Sequence, residues 1–270
     1  MLSRLLPIAI ILFWMGSVGW LCAVVWAPPE SRMSQIDPLE VYRVFFGWND
    51  STNMTLLENG VRRGQITVAG GSGADVATGA VTRVLSVSGS VESYDERSAS
   101  SLVDLFWKGS VDFTEAMERE GGEFAVRIPK QELSAHLAFS GKSAGIKARV
   151  LMGKREVLNY DSASAGAVVS PLAALGAMGG FGAISGLDSF NPATMTLETE
   201  ARMGNFNFGG RDMRVFLLRL RNPEHGQELR VYLSEVGEPL KIESDLGFEA
   251  ISELLVPLDA YKRDASPKSE

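Results

Sequence analysis

Cysteine and histidine are nearly absent from this chain. One of its 270 residues is a cysteine, Cys22 inside the first apolar segment, so neither an intramolecular disulfide nor a thiolate metal cluster can form. The two histidines, His136 and His225, are far apart in sequence, and neither has a second histidine at a chelating spacing. We therefore expect no metal site and no cofactor.

Positive charge is also in deficit. The chain carries 33 acidic residues against 26 lysines and arginines, which gives a formal net charge of −7 at pH 7. A negatively charged surface repels the phosphates of DNA and RNA. We therefore expect no nucleic-acid partner.

Catalytic signatures are lacking as well. Residues 70–79, GGSGADVATG, have no lysine after the glycines and put Val76 where a dinucleotide-binding pattern needs its third glycine. We predict a flexible loop there instead. Ser90 follows Gly89 without the second spaced glycine of a hydrolase nucleophile elbow. His136 has apolar neighbours and is interpreted as a packed or interface residue rather than a general base, so we expect a protein that is not an enzyme.

Charge is missing altogether from the first apolar run, LLPIAIILFWMGSVGWLCAVVW, residues 5–26. At about 1.5 Å per residue, a helix of that length crosses a hydrocarbon core of about 30 Å. We expect an uncleaved anchor at residues 1–27 rather than a cleaved signal peptide, because Pro28 would follow the cut and is a poor substrate there. Arg4 favours a cytoplasmic N-terminus. The sequence thus predicts a single-pass protein of the bacterial inner membrane with its main domain in the periplasm.

Short alternating segments dominate the remainder. In residues 229–234, LRVYLS, apolar side chains alternate with polar ones, which is typical of antiparallel strands with one buried and one wetter face. Residues 222–227 and 234–239 read as hairpin loops. Helical candidates are few: residues 98–106 could form a helical turn or two, and residues 38–46 either a short helix or a strand. The pattern predicts a mainly β protein, built as a large curved antiparallel sheet or an incomplete barrel.

A family resemblance is carried by the C-terminal third, MRVFLLRLRNPEHGQELRVYLSEVGEPLKIESDLGFEAISE, and by LENGVRRGQITV at residues 57–68. This cadence of strands and a "GE" turn resembles bacterial periplasmic lipoprotein-carrier proteins and similar uncharacterised DUF3108-like domains. The residues that match are Val231, Leu233, Gly237, Glu238, Leu240 and Ile242. The resemblance implies a curved antiparallel sheet around an apolar cavity that holds acyl chains or part of a lipoprotein. The chain departs from those families in its anchor and in the glycine-rich segment described next.

That segment, residues 162–187, carries no charge between Asp161 and Asp188 and is called the flap below. A second membrane span is disfavoured by its glycines and proline, by its acidic flanks, and by the strand series on both sides of it. GxxxG spacings keep that alternative open. A short buried helix that begins at Ser170 is the second alternative, and an apolar lid over the cavity of the sheet is the third. For the lid, the candidate ligand-binding residues are Leu172, Leu175, Phe181 and Ile184.

The expected organisation is an anchor at residues 1–27, a linker at 28–38, a periplasmic β-rich domain at 39–258 and a polar tail at 259–270. We expect the domain to bind a hydrophobic ligand, either a lipid or an acylated protein, close to the membrane that holds the anchor. The alternative is a non-enzymatic scaffold or interaction subunit of a cell-envelope assembly, with another envelope protein as its partner.

Replacing Ile184 with Asp separates the three readings of the flap. If the flap is a lid, the new aspartate places a charge in an apolar pocket, which is costly without a partner. Binding of a fluorescent fatty acid should then fall steeply while the melting temperature is unchanged. A lowered melting temperature would indicate a core helix, and weaker liposome flotation alone would indicate a membrane-touching loop. A wild-type protein that binds no apolar probe contradicts the lid.

Overall fold

The computed structural model describes residues 13–21, 29–74, 81–95, 100–141, 145–162, 197–208, 210–223 and 226–255. Most of these residues belong to a 14-stranded antiparallel sheet. The strands are β1 (Ser34–Ile36), β2 (Ser51–Glu58), β3 (Val61–Ala74), β4 (Val81–Asp95), β5 (Ser100–Phe113), β6 (Arg119–Ile128), β7 (Leu133–Ser140), β8 (Gly145–Met152), β9 (Arg155–Asp161), β10 (Glu198–Phe208), β11 (Arg211–Arg221), β12 (Glu228–Ser234), β13 (Pro239–Ser244) and β14 (Phe248–Ser252). The helix Pro38–Trp48, here called the packed helix, and two 3-10 turns, Pro29–Arg32 and Pro129–Gln131, complete the described domain. The mainly β prediction is confirmed.

The sheet consists of two meanders joined side by side. Strands β2 to β9 pair in chain order, strands β10 to β14 do the same, and β14 pairs with β2 to connect the two series. Strand β1 pairs with β10, so β1 and β9 form the two edges of an open sheet. The described strands therefore form one large open antiparallel sheet.

Tight turns account for the hairpins. Asn59 and Gly60 both have positive φ, 51° and 79°, which is the geometry that a two-residue turn between right-twisted strands requires. The predicted hairpin loops at residues 222–227 and 234–239 lie between β11 and β12 and between β12 and β13. Both of these predictions are confirmed.

Two local predictions were wrong. The helical alternative at residues 98–106 fails because residues 100–106 belong to β5, which pairs along its length with β4 and is also paired with β6. The loop predicted at residues 70–79 fails in its first half, since Gly70–Ala74 continues β3 in register with β4. In both places pairing with neighbouring strands overrode a weak local preference.

The packed helix resolves the ambiguity of residues 38–46. Asp37 caps its N-terminus by accepting a hydrogen bond from the backbone N–H of Leu39 at 2.9 Å, and Pro38 occupies the first turn, where proline is tolerated. Asn49 ends the helix in the left-handed conformation with φ 52°. One face of the helix is buried through Val41, Phe45 and Phe46.

The sheet has to curve around this helix. The packed helix contacts β3 and β4 and also β10 and β11. In the strand order, β3 and β11 are five spacings apart, which is about 24 Å in a flat sheet at roughly 4.8 Å per strand. A helix is only about 10–12 Å across, so it touches both strands only if the sheet wraps around it. The face that holds the helix is called the inner face.

The opposite, outer face of β10 to β13 receives the chain that precedes β1. Met33 is buried in a second apolar cluster with Val215, Leu217 and Tyr232. The Tyr232 hydroxyl lies 3.2 Å from Glu30 Oε1 and 3.3 Å from Glu243 Oε2. Burial, followed by the charges of these two carboxylates, raises the pKa of Tyr232 far above its ordinary value, so the hydroxyl stays a donor. The segment that follows the predicted anchor is thereby attached to the sheet.

Residues 13–21 of the predicted anchor are helical. Among the residues that the structure describes, no helix is long and apolar enough to cross a bilayer. Residues 1–12 and 22–28, which make up most of the predicted anchor, lie outside the described ranges. The anchor stays a prediction.

Truncating Phe45 to Ala tests whether the packed helix organises the sheet. Phe45 is 8% exposed within the main apolar cluster, and large-to-small changes at such sites lower the free energy of unfolding by about 3–5 kcal/mol. Leu39→Ala is the matched control, because Leu39 lies on the same helix but is 40% exposed. Urea unfolding followed by circular dichroism measures both variants. Equal losses in the two variants would show that the helix face is unimportant.

Candidate functional site

An apolar surface runs along the inner face from the packed helix to the far edge of the sheet. Val68 belongs to the cluster under the helix, and its pairing partner Val87 packs against that cluster. Residues directly opposite each other in antiparallel strands point to the same face of the sheet. The residues that are paired in turn with Val87, on the strands beyond β4, therefore also lie on the inner face. The row reads Val87, Gly109, Phe124, Leu137, Ala148 and Tyr160, across β4 to β9.

Two further rows flank the first one. One row consists of Gly89, Trp107, Val126, Ala135, Val150 and Leu158, and the other of Leu85, Val111, Gly122, Phe139 and Ile146. Together the three rows are called the inner wall. Apart from the hydroxyl of Tyr160 and the indole N–H of Trp107, every side chain in these rows is apolar or absent. Such a surface can bind hydrocarbon.

Aromatic rings on the inner wall lie over glycines of the neighbouring strand. A methyl group on Gly89 would lie 2.7 Å from Trp107 Cζ2, and one on Gly122 would lie 2.7 Å from Phe139 Cζ. On Gly109 it would lie 3.0 Å from Phe124 Cδ2. In each case the ring covers the glycine directly opposite it. The rings therefore occupy the space that side chains at these glycines would fill.

Exposure varies along the wall. Val150 is fully buried and Ile146 is 9% exposed, whereas the Phe124 ring is 41% exposed. Trp107 and Phe139 are intermediate. A ring that remains two-fifths exposed on a face otherwise built for burial is a candidate contact for an apolar ligand.

The predicted site residues of the flap, Leu172, Leu175, Phe181 and Ile184, lie outside the described residues, as does His225. The chain enters the flap from β9, at one edge of the sheet, and returns in β10, next to the other edge. Whether the flap residues join the wall stays a prediction. Sequence reasoning missed the wall itself, although the alternation of residues 105–111 and 122–126 contained the signal for its apolar face.

His136 is not a packed core residue. Its side chain is 53% exposed on the face opposite the inner wall, with Nε2 3.5 Å from Glu123 Oε2. Across the described part of the chain, no group of three or more His, Cys, Asp or Glu side chains is arranged to hold a metal ion.

No protein-family model, curated protein or solved structure matches this chain. The resemblance to lipoprotein carriers therefore stays an expectation from the sequence alone.

Gly89→Ala tests the ring-over-glycine arrangement. The added methyl would meet Trp107 at 2.7 Å and the backbone oxygen of Gln65 at 2.6 Å, so both must shift. Overpacking of this kind lowers the free energy of unfolding by about 1–3 kcal/mol. Gly73→Ala on β3 is the control, because nothing lies within 4 Å of its added methyl, and it should be neutral or slightly stabilising. Urea unfolding of both variants measures the difference, and equal stability would contradict the arrangement.

Proposed function

We propose that this protein is a membrane-anchored envelope protein whose β domain binds a hydrophobic ligand on the inner wall. The ligand is a lipid or the acyl part of an acylated protein, and the domain lies on the periplasmic side of the bacterial inner membrane. The observation that carries the proposal is the continuous apolar surface from Val68 to Tyr160, with Phe124 left 41% exposed. Binding of this kind needs no catalytic group.

The shape of the wall supports an elongated apolar ligand. Strand neighbours are about 4.8 Å apart, so the row from β4 to β9 extends for roughly 24 Å before curvature is considered. The rings of Trp107, Phe124 and Phe139, each packed over a glycine of the neighbouring strand, provide broad apolar contact surfaces. Burying apolar surface stabilises a complex by about 25 cal/mol per Å² before the costs of association. In this proposal the flap, with Leu172, Leu175, Phe181 and Ile184, closes over the ligand from the connection between β9 and β10.

A second candidate function is a scaffold or interaction subunit of an envelope assembly. The edge strand β9 favours it, because among the described strands β9 pairs with β8 alone. An unpaired edge can accept a strand from a partner protein. Charged residues at its start, Arg155 and Glu156, protect the edge against unspecific pairing.

Photo-crosslinking in membranes distinguishes the two functions. Vesicles that hold the full chain are loaded with a diazirine-labelled fatty acid and irradiated, and the labelled peptides are mapped by mass spectrometry. Ligand binding predicts labels in β5 to β9, reduced roughly tenfold by Phe124→Asp because a charge enters the apolar surface. Phe248→Asp is the matched control: Phe248 is similarly exposed, at 40%, but lies on β14, outside the inner wall.

Two outcomes would contradict the ligand-binding function. One is an unlabelled β5–β9 region in the wild-type protein. The other is an equal loss of labelling in both aspartate variants. If the wild-type protein is unlabelled there and retains an envelope protein through detergent extraction, the scaffold function is supported.

A further inference from the structure

The outer face of β3 to β8 contains a second concave site. It is a cavity of about 650 Å³, open to solvent, and here called the outer trough. That volume lies within the range of roughly 300–1,000 Å³ that small-molecule sites occupy. The trough lies on the opposite face of the sheet from the inner wall. Its ligand does not depend on the one proposed for that wall.

Two cross-strand rows of outward-facing side chains line the trough. The first is Thr67, Ser88, Lys108, Ala125, His136 and Arg149, and the second is Gln65, Ser90, Phe106, Arg127, Ser134 and Leu151. Between the rows lie Gly89, Trp107, Val126 and Ala135, whose side chains belong to the inner wall and which contribute to the floor. The small side chains of Ser88, Ser90, Ala125 and Ser134 are interspersed with the long ones, which leaves space between them. The site is assembled from six strands by their register.

Positive charge is concentrated here, against the net charge of −7 of the chain. Lys108, Arg127 and Arg149 line the trough, and none of the lining residues is acidic; Glu123, next to the trough, lies 3.5 Å from the side chain of His136. Arg149 is paired with Glu156 at 2.6 Å. Within the part of the chain that the structure describes, neither Lys108 nor Arg127 has a carboxylate partner. These two cations are available to an anion.

The two available cations are placed to converge on one group. Lys108 pairs with Ala125 and Phe106 pairs with Arg127, so Lys108 and Arg127 are diagonal neighbours on β5 and β6. Diagonal neighbours have Cα atoms about 7–8 Å apart, and both side chains are long enough to reach a common anion from there. An arginine can bind a phosphate or carboxylate through two parallel hydrogen bonds, and a lysine adds a second charge-assisted bond.

The remaining lining residues favour an organic anion over an inorganic ion. Phe106 is 44% exposed directly opposite Arg127 and presents an apolar surface beside the anion position. Ser88, Ser90 and Ser134 supply hydroxyl donors and acceptors along the floor. We infer that the outer trough binds an organic phosphate or carboxylate with hydroxyl groups next to the charge, held by Lys108 and Arg127. A glycerophosphate unit has this chemistry, either as a soluble ester or as the headgroup of an anionic lipid.

The test uses the full chain in nanodiscs of phosphatidylcholine, which carry no net charge. Glycerol phosphate is titrated by calorimetry, and association with phosphatidylglycerol vesicles is measured by flotation. Binding of glycerol phosphate identifies a soluble source of the anion, whereas binding to the vesicles alone identifies a lipid headgroup. In either case the double variant Lys108→Gln, Arg127→Gln should weaken binding roughly tenfold or more.

The matched control removes the same two charges elsewhere. Lys154→Gln with Arg155→Gln replaces one lysine and one arginine at the turn between β8 and β9, outside the trough, and should leave binding within about twofold. Phe124→Asp, on the inner wall, should lower the labelling by fatty acid but leave the binding of glycerol phosphate within about twofold, which separates this site from the proposed hydrophobic site. The inference is overturned if the wild-type protein binds neither probe, or if the control pair weakens binding as much as the trough pair.

Discussion

The packing of one short helix against the inner face is the constraint on which the rest of the sheet depends. Phe45 and Phe46 lie in a cluster that joins strands β2 to β4 to strands β10 to β14. Gly70 is essential to this contact, because a methyl group there would lie 2.7 Å from Phe45 Cε1. Without this helix, the 14-stranded sheet would lose the contact that keeps it curved. Because the sheet curves around the helix, its apolar rows lie on the inner face and its charged rows lie on the outer face.

Alternation along the strands gives the two faces their separate chemistries. On β5, Trp107 and Gly109 face the inner wall, while Phe106 and Lys108 face the outer trough. Because the period is two residues, a register slip by one would exchange the faces and bury the cations. The same pairing that stabilises the sheet therefore maintains an apolar surface and a cationic one within a single layer of backbone.

The sequence was sufficient where the signal is local. The hairpin loops at residues 222–227 and 234–239 were predicted from short runs of turn residues, and Gly226 and Gly237 there have positive φ, 68° and 96°. The helix at residues 38–46 stayed ambiguous, since a short apolar run fits a strand as well as one helix face, and contact with distant strands resolved it. Residues 100–106 were open to a helical interpretation because a short segment with Leu102, Val103 and Leu105 fits a helical turn as well as a strand. Pairing with β4 and β6 placed them in a strand.

From its residues alone, this chain determined a mainly β domain, the hairpins in its C-terminal third and the scarcity of cysteine and histidine. Tertiary structure decided which residues meet. The pairs of Gly89 with Trp107 and Gly122 with Phe139 depend on the register between strands, and single-sequence periodicity contains no register between non-adjacent segments. The rows of the outer trough likewise draw two residues from each of six strands, between Gln65 and Leu151. The sequence alone does not show which residues form such sets, because the hydrogen bonds that align them join residues far apart in the chain.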